Sequence, residues 1–389
     1  MISDEVIGCR ALHRYKVSCM RYFPTLLLFY LTFSALGQQK DKTYNLLVGT
    51  YTQPGKSEGI YVYTFNAATG ELAAKSKATG IENPSFLAIS HDRKHVYSVN
   101  ETSAGTVSAF NFNGQSGTLT LQSTAPSGGN GPCYVSTDSK GRFLFVGNYG
   151  GGSIAAVPIK SDGSLDNQIQ IIQHEGKSVK SNQEKSHVHA AVLSKDGHFL
   201  FVPDLGTDKI AIYTVNHSAR EPLSASKSVS VEPGSGPRHF TFDSSGRNAF
   251  LIQEMTGVVT AYTYADGTLT PKQSLSLAPS NFKGRIDAAD IHVSPDGKFL
   301  YGSLRGDLNE IVILSIDRTG LMTYAGRQST RGKTPRNFAI DPTGNFLLVA
   351  NQGSDEIVVF RRDQKTGLIH PTDKSVAVGA PVCLLFTTQ

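Results

Sequence analysis

GPCYVSTDSKGRFLFVGNY, residues 131–149, is the stretch whose reading decides the fold. It reads as a short apolar strand, an Asp/Ser/Gly turn, and a second apolar strand ending on polar residues, which together make a β-hairpin. The same unit recurs as NPSFLAISHDRKHVYSVNE from Asn83, HVHAAVLSKDGHFLFVPDL from His187 and GPRHFTFDSSGRNAFLIQE from Gly236. It recurs again as AADIHVSPDGKFLYGSLR from Ala288 and TPRNFAIDPTGNFLLVANQ from Thr334. The equivalent second-strand positions Tyr97, Phe145, Phe201, Phe250, Tyr301 and Leu348 are spaced by 48, 56, 49, 51 and 47 residues. A period near fifty marks a repeat architecture. A seventh copy is divided: its second strand is Asn45–Thr50 (NLLVGT) and its first is Ala380–Phe386 (APVCLLF). A copy split between the chain ends closes a ring and leaves no sheet edge open. Intervening pairs such as GIYVYTFNAATGELAA from Gly59 and VVTAYTYADGTLT from Val258 supply third and fourth strands. The expected fold is an all-β, seven-bladed β-propeller with four-stranded blades, its ring closed by the N- and C-terminal segments in one blade. A large β-sandwich, or two β domains, does not account for the split copy.

Composition points the same way. Charged residues are 18% and hydrophobic residues 39%, which excludes an acidic disordered tail and a membrane bundle. Glycine is abundant at 38 of 389, Phe and Tyr number 20 and 15, and Trp is absent. A chain this long buries a full core without staples. The net charge is +5, and Arg10, Arg14, Lys16 and Arg21 against Asp4 and Glu5 account for +2 of it. The remainder is too weakly and too diffusely basic for a nucleic-acid partner.

Thr25–Leu36 (TLLLFYLTFSAL) is an apolar run preceded by Arg21 and followed by the small residues Ala35 and Gly37 at the −3 and −1 positions before Gln38. Residues 1–37 therefore read as a secretory signal peptide. Residues 1–19 read as an upstream extension, with Met20 the more usual start. The run is too short to span a bilayer comfortably, and no Cys follows it to carry a lipid. The expectation is export to the periplasm or outside the cell, no stable membrane span after cleavage, and a single propeller domain over residues 38–389. Cys9 and Cys19 fall in the removed segment. Cys133 and Cys383 read as free, buried thiols, although export would permit a disulfide.

In a propeller the first strand of each blade lines the central channel. Its start and the end of the second strand share one face, so polar residues there meet in one funnel. The first-strand starts are Ser85, Cys133, His189, Arg238, Ala289, Arg336 and Val382, with neighbours Tyr134, His239, Asp290 and Asn337. The second-strand ends are Thr50, Asn100, Glu101, Asn148, Tyr149, Asp204, Glu254, Arg305, Asn351 and Gln352. A charge at such a mouth costs desolvation unless it is paired. His189, Arg238, Glu254 and Arg305 come from successive blades and can reach one molecule. Several arginines favour an anionic or oxygen-rich ligand. Glu254 also fits a structural ion pair, and Glu101, Asp204 and Asn351 read as blade-closing hydrogen-bond partners. Gln173–Lys185 and Asn281–Ile286 overhang the same face as lids or specificity loops. His187 and His189 form an H-x-H with no third ligand in sight, so no metal is assigned. No G-x-S-x-G elbow, P-loop or dinucleotide fingerprint stands in a suitable context.

VGTYT at Val48, EGIYVY at Glu58, NPSFLAIS at Asn83, GPCYVS at Gly131 and NYGGGS at Asn148 carry a resemblance, as do HVHAAVLSKDGHFLFVPDLGTDKI at His187, GPRHF at Gly236, HVSPDGKFLY at His292 and PRNFAIDPTG at Pro335. Over residues 44–389 the chain resembles the propeller-type lactonase family, which includes bacterial 6-phosphogluconolactonases and the fungal carboxy-muconate cyclase. The resemblance implies lactone chemistry with no required metal or cofactor. It also implies functional roles for His189, Arg238, Glu254 and Arg305, which the channel argument had already selected. His187, His239, Tyr134, Asn148, Asp290 and Arg336 are the accompanying candidates for substrate contact. Many members have His at Tyr134, Glu at Asp290 and S-N-R at Ser303–Arg305, where Leu304 removes a polar group near the funnel. The expected partner is a small anionic sugar lactone, and the expected state a monomer. In this reading Glu254 or His189 is the base, Arg238 and Arg305 bind the anion or oxyanion, and His189 protonates the ring oxygen. Arg238→Ala is expected to lower turnover with little effect on folding. The alternatives are an exported propeller that binds sugar acids or protein without catalysis, and a lactone-forming cyclase or isomerase.

Overall fold

The computed structural model describes residues 42–389, and the expected signal peptide lies outside the described residues. Those residues form seven four-stranded antiparallel sheets. The first blade joins Pro381–Thr388 to Thr43–Thr50, Gly59–Asn66 and Leu72–Thr79, so both chain ends share it. Its closing pair runs from Tyr44 opposite Thr388 to Thr50 opposite Pro381. The other six blades follow in chain order, with inner strands Leu87–Ile89, Pro132–Thr137, Val192–Leu193, Pro237–Phe242, Ala288–Val293 and Pro335–Ile340.

Strand alternation fills the gaps between blades. Leu46 and Val48 pack with Phe346 and Leu348 of the seventh blade, while Leu47 between them packs with Val96 and Phe110 of the second. Residues of opposite parity thus serve opposite neighbours, the period-two rule of a strand buried on both faces. Seven apolar clusters each fill one gap, including the gap between the first and seventh blades.

The hairpin signature has a local cause. In Ser294-Pro-Asp-Gly, Ser294 Oγ donates to Asp296 Oδ1 (2.6 Å), which also accepts from Lys298 N (3.1 Å). Gly297 follows at φ +71°, in the left-handed region that glycine enters without penalty. Cys133 and Cys383 are free, buried thiols.

Candidate active site

The start of the inner strand is bulged in most blades. The ladder steps past Val382, Cys133, Arg238 and Arg336 in the first, third, fifth and seventh blades. A bulge leaves one residue unpaired and re-aims its side chain, here into the mouth of the channel. Six of the seven first-strand starts, Ser85, Cys133, His189, Arg238, Arg336 and Val382, line one narrow pocket together with Phe86, His239 and Glu101. The seventh, Ala289, contributes its carbonyl, which accepts Arg238 Nη1 at 2.6 Å.

Arg238 is buried and donates its Nε to Glu254 Oε2 at 2.7 Å. Arg305 Nη2 reaches the same oxygen at 2.9 Å, the Ala288 carbonyl at 3.2 Å, and Asp287 Oδ1 as an ion pair. Burial pushes the Glu254 carboxyl up, but the guanidiniums of Arg305, Arg238 and Arg336 outweigh it and hold the group below its ordinary value. Burial and the neighbouring Arg305 and Arg336 cations lower Arg238 to about 10. Arg336 differs. It makes no hydrogen bond or ion pair among the described residues and lies over the Tyr51 ring, 5.4 Å from its centroid. Burial opposes its charge, but Tyr51, Glu101 and Glu254 overcompensate and raise it above the ordinary arginine value.

His189 Nδ1 lies 3.7 Å from Cys133 Sγ. Burial first, and then the Arg238 cation, His239 and Arg336, press His189 well below the usual histidine range, so the ring is neutral. Burial likewise pushes the Cys133 thiol up. The thiol is therefore not an activated nucleophile.

Beneath the pocket lies a second ring of side chains. Phe86 stacks on Tyr134 at 4.3 Å, and His239 meets both edge-on at 5.9 and 5.5 Å. Phe86 belongs to the second blade and His239 to the fifth, so this contact crosses the channel and closes it. Arg238 Nη1 donates to His239 Nε2 (3.2 Å), leaving Nδ1 to donate to Asp290 Oδ1 at 2.8 Å. Asp290 Oδ2 also accepts His292 Nε2 (2.8 Å) and Asn337 Nδ2 (2.5 Å), while Asn337 Oδ1 accepts Leu384 N at 2.7 Å. One carboxylate thereby ties the fifth, sixth, seventh and first blades together.

The structure thus brings His189, Arg238, His239 and Arg336 into the pocket, with Glu254 docked on Arg238 and Arg305 docked on Glu254. Tyr134 and Asp290 lie below, as floor and hub. His187 stacks on Tyr149 at 4.5 Å and bonds its carbonyl through Nδ1 at 2.9 Å; Tyr149 in turn meets His189 edge-on. Asn148 is not brought to the pocket: its Nδ2 donates to Ser127 O (2.9 Å) and Ser153 Oγ (3.1 Å), closing its own blade. Leu304 is also misplaced by the sequence reading, because it is core between the fifth and sixth blades and not near the funnel. The two inserted loops do meet over the site. Lys180 and Asn182 from one, with Arg285 and Ile286 from the other, line a cavity of about 310 Å³ whose wall includes Glu254.

One pocket residue differs from the sequence reading. Glu101 does not close its blade; Asn100 does, donating to Thr106 Oγ1 and Ser108 Oγ at 2.9 Å each. Glu101 Oε2 instead accepts Tyr51 OH at 2.8 Å and Ser85 Oγ. The signal was available in the register. Thr50, Asn100, Asn148, Asp204, Gln253, Leu304 and Asn351 end the second strands, and the next residues are Tyr51, Glu101, Tyr149, Leu205, Glu254, Arg305 and Gln352. Glu101 therefore holds the position of Glu254 and Arg305. Among the described residues, no cluster of three or more His, Cys, Asp or Glu could hold a metal ion.

Comparison with known proteins agrees with the seven-bladed fold. The chain is 38% identical over 351 residues to a 6-phosphogluconolactonase of Formosa agariphila, covering 88% of this chain and 99% of that one. It is 33% identical over 346 residues to a 6-phosphogluconolactonase of Bacillus subtilis, covering 88% and 98%. The crystallised periplasmic gluconolactonase of Pseudomonas aeruginosa superimposes with a TM-score of 0.86 at 39% identity, covering 89% of this chain and 99% of that one. The family model described as Lactonase, 7-bladed beta-propeller matches residues 45–386, and the chain belongs to that family.

Proposed function

We propose that the chain hydrolyses a sugar lactone to the aldonic acid in the pocket at the channel mouth. The observation that carries this reading is a polar pocket in which the Arg336 guanidinium makes no hydrogen bond or ion pair among the described residues, beside the Arg238–Glu254–Arg305 cluster. A preorganised cation where charge develops on a carbonyl oxygen is the main requirement for acyl transfer to water. The strands that carry these groups are rigid, so little reorganisation accompanies the reaction. Water adds to the lactone carbonyl, arginine stabilises the oxyanion, and collapse releases the ring oxygen. The neutral His189 fits hydrogen bonding to the ring oxygen better than service as a charged acid. Glu254, clamped on one oxygen by two guanidiniums, fits alignment of those arginines. The names of the similar proteins support an aldonolactone, phosphorylated or not.

We also propose that the protein acts outside the cytoplasm after removal of residues 1–37, as the apolar run at Thr25–Leu36 suggests. The test is pH-stat hydrolysis by purified residues 38–389, with glucono-δ-lactone and 6-phosphogluconolactone side by side in the presence of chelator. Hydrolysis well above the spontaneous rate, reduced in Glu254→Gln at sub-saturating lactone, is expected. Background rates with both lactones would turn the assignment toward a non-catalytic binder.

A further inference from the structure

Two carboxylates flank the pocket at the same register position. Glu254 follows the blade-closing Gln253 in the fifth blade, and Glu101 follows the blade-closing Asn100 in the second. These blades face each other across the axis, as the Phe86–His239 contact shows. The two carboxylates are differently engaged. Glu254 Oε2 holds two guanidiniums, at 2.7 and 2.9 Å. Glu101 Oε2 holds two neutral hydroxyls, Tyr51 OH and Ser85 Oγ, and its Oε1 makes no hydrogen bond among the described residues.

The arginines divide in the same way. Arg238 and Arg305 are engaged by Glu254 and by the Ala289 and Ala288 carbonyls. Arg336 has only the face of Tyr51 beneath it. Both carboxylates leave Oε1 without a hydrogen bond among the described residues, but Glu101 lines the pocket together with Arg336 and Glu254 does not, and Tyr51 touches both Glu101 and Arg336.

Resting on the lactone-hydrolysis reading, we propose that Glu101 is the general base and Arg336 the oxyanion donor, and that Glu254 is a positioning residue for Arg238 and Arg305. Glu101 Oε1 takes a proton from water as the water oxygen bonds to the lactone carbonyl carbon. The carbonyl π pair moves onto oxygen and meets the Arg336 N–H groups. The pair returns, the bond from that carbon to the ring oxygen breaks, and the proton on Glu101 passes to the departing oxygen. The product is a hydroxy acid, which ionises to solvent, and Glu101 is restored as carboxylate. Tyr51 and Ser85 fix the carboxylate through Oε2 and leave Oε1 for water.

The experiment compares wild type, Glu101→Gln, Glu101→Asp, Glu254→Gln and Arg336→Gln by pH-stat on the faster of the two lactones, with thermal unfolding of each variant. A general base contributes about 10²–10⁴ in rate. Glu101→Gln is expected to lose that much kcat with KM within a few-fold, and to lose the acid limb of kcat/KM. Its amide oxygen can still accept from Tyr51 and Ser85, so folding is retained. Glu101→Asp keeps the acid limb at a reduced rate. Arg336→Gln lowers kcat comparably, and Glu254→Gln raises KM while keeping the acid limb. A Glu101→Gln enzyme within tenfold of wild type, with its acid limb intact, would overturn the assignment while leaving lactone hydrolysis standing. A wild type inactive on both lactones would overturn both.

Discussion

Arg238 is the largest of the fully buried side chains, at 1% exposure. Its hydrogen bonds to Glu254 and to the Ala289 carbonyl are part of the packing as well as of the site. This alters the expectation drawn from sequence that Arg238→Ala leaves folding intact. Removing one member of a buried ion cluster typically costs about 3–5 kcal/mol, and Arg305 retains Glu254, so a loss near 3 kcal/mol is expected. Urea unfolding followed by far-UV circular dichroism measures it, and must accompany any kinetic reading of that variant. Asp290 gives a pH signature. Burial opposes its charge, but His292 and His239 hold it well below the usual carboxylate range. Its stabilisation is present above the ordinary Asp pKa and is lost as pH falls through the lowered folded value. His292, 42% exposed at its side chain, is raised by Asp290 against burial. Its contribution is present below the ordinary His pKa and fades as pH rises through the raised value. Asp290→Asn should therefore flatten both limbs of urea midpoint against pH, the acid limb more because the His292 side chain is half-exposed while Asp290 is buried. An unchanged profile would remove Asp290 as the hub of the four blades.

At the level of the hairpin, the repeat is readable because each copy needs the same turn chemistry. Asp196, Asp296 and Asp341 each accept a backbone N–H within the turn, and Gly197, Gly297 and Gly344 sit at φ +75°, +71° and +73°. The second blade departs from this pattern, with Arg93 at φ +60° where the others have glycine. A left-handed non-glycine residue costs about 1–2 kcal/mol, and glycine returns roughly half of that as entropy. Arg93→Gly is expected to stabilise by up to about 1 kcal/mol despite losing the Arg93–Thr388 hydrogen bond. A lowered melting temperature would contradict this. The same regularity made the pocket legible, because one register position per blade names Ser85, Cys133, His189, Arg238 and Arg336. Strand ends were less legible. Asn100 and Glu101 are adjacent polar residues pointing opposite ways, and only the strand parity separates the blade-closing amide from the pocket carboxylate. Without that parity, sequence alone places Asn148 in the funnel and Glu101 in the blade, the reverse of what the strands do. Leu304 obeys it too, standing at the blade-closing position and therefore in the core.

For the molecule as a whole, stability is shared among seven inter-blade cores of similar make, and the one between the first and seventh blades depends on both chain ends. Deleting residues 381–389 would strip Leu384 and Phe386 from that core, and Val382 and Cys383 from the channel wall and the neighbouring gap. It would also bare the Thr43–Thr50 strand as a sheet edge, an invitation to self-association. The truncated chain is expected to unfold at lower temperature and to elute as aggregate, whereas the intact propeller, with its Thr43–Thr50 strand paired on both sides, is expected to elute as a monomer. The side chains that meet across the axis beneath the pocket have a further consequence. Because Phe86, Tyr134 and His239 stop the bore, the ring is a cup and not a pipe. Whatever is made at the bottom must leave through the entrance by which its precursor came, so traffic is single-file: a lingering product bars the next arrival, and the tempo of the cycle is set at the rim as much as at the floor.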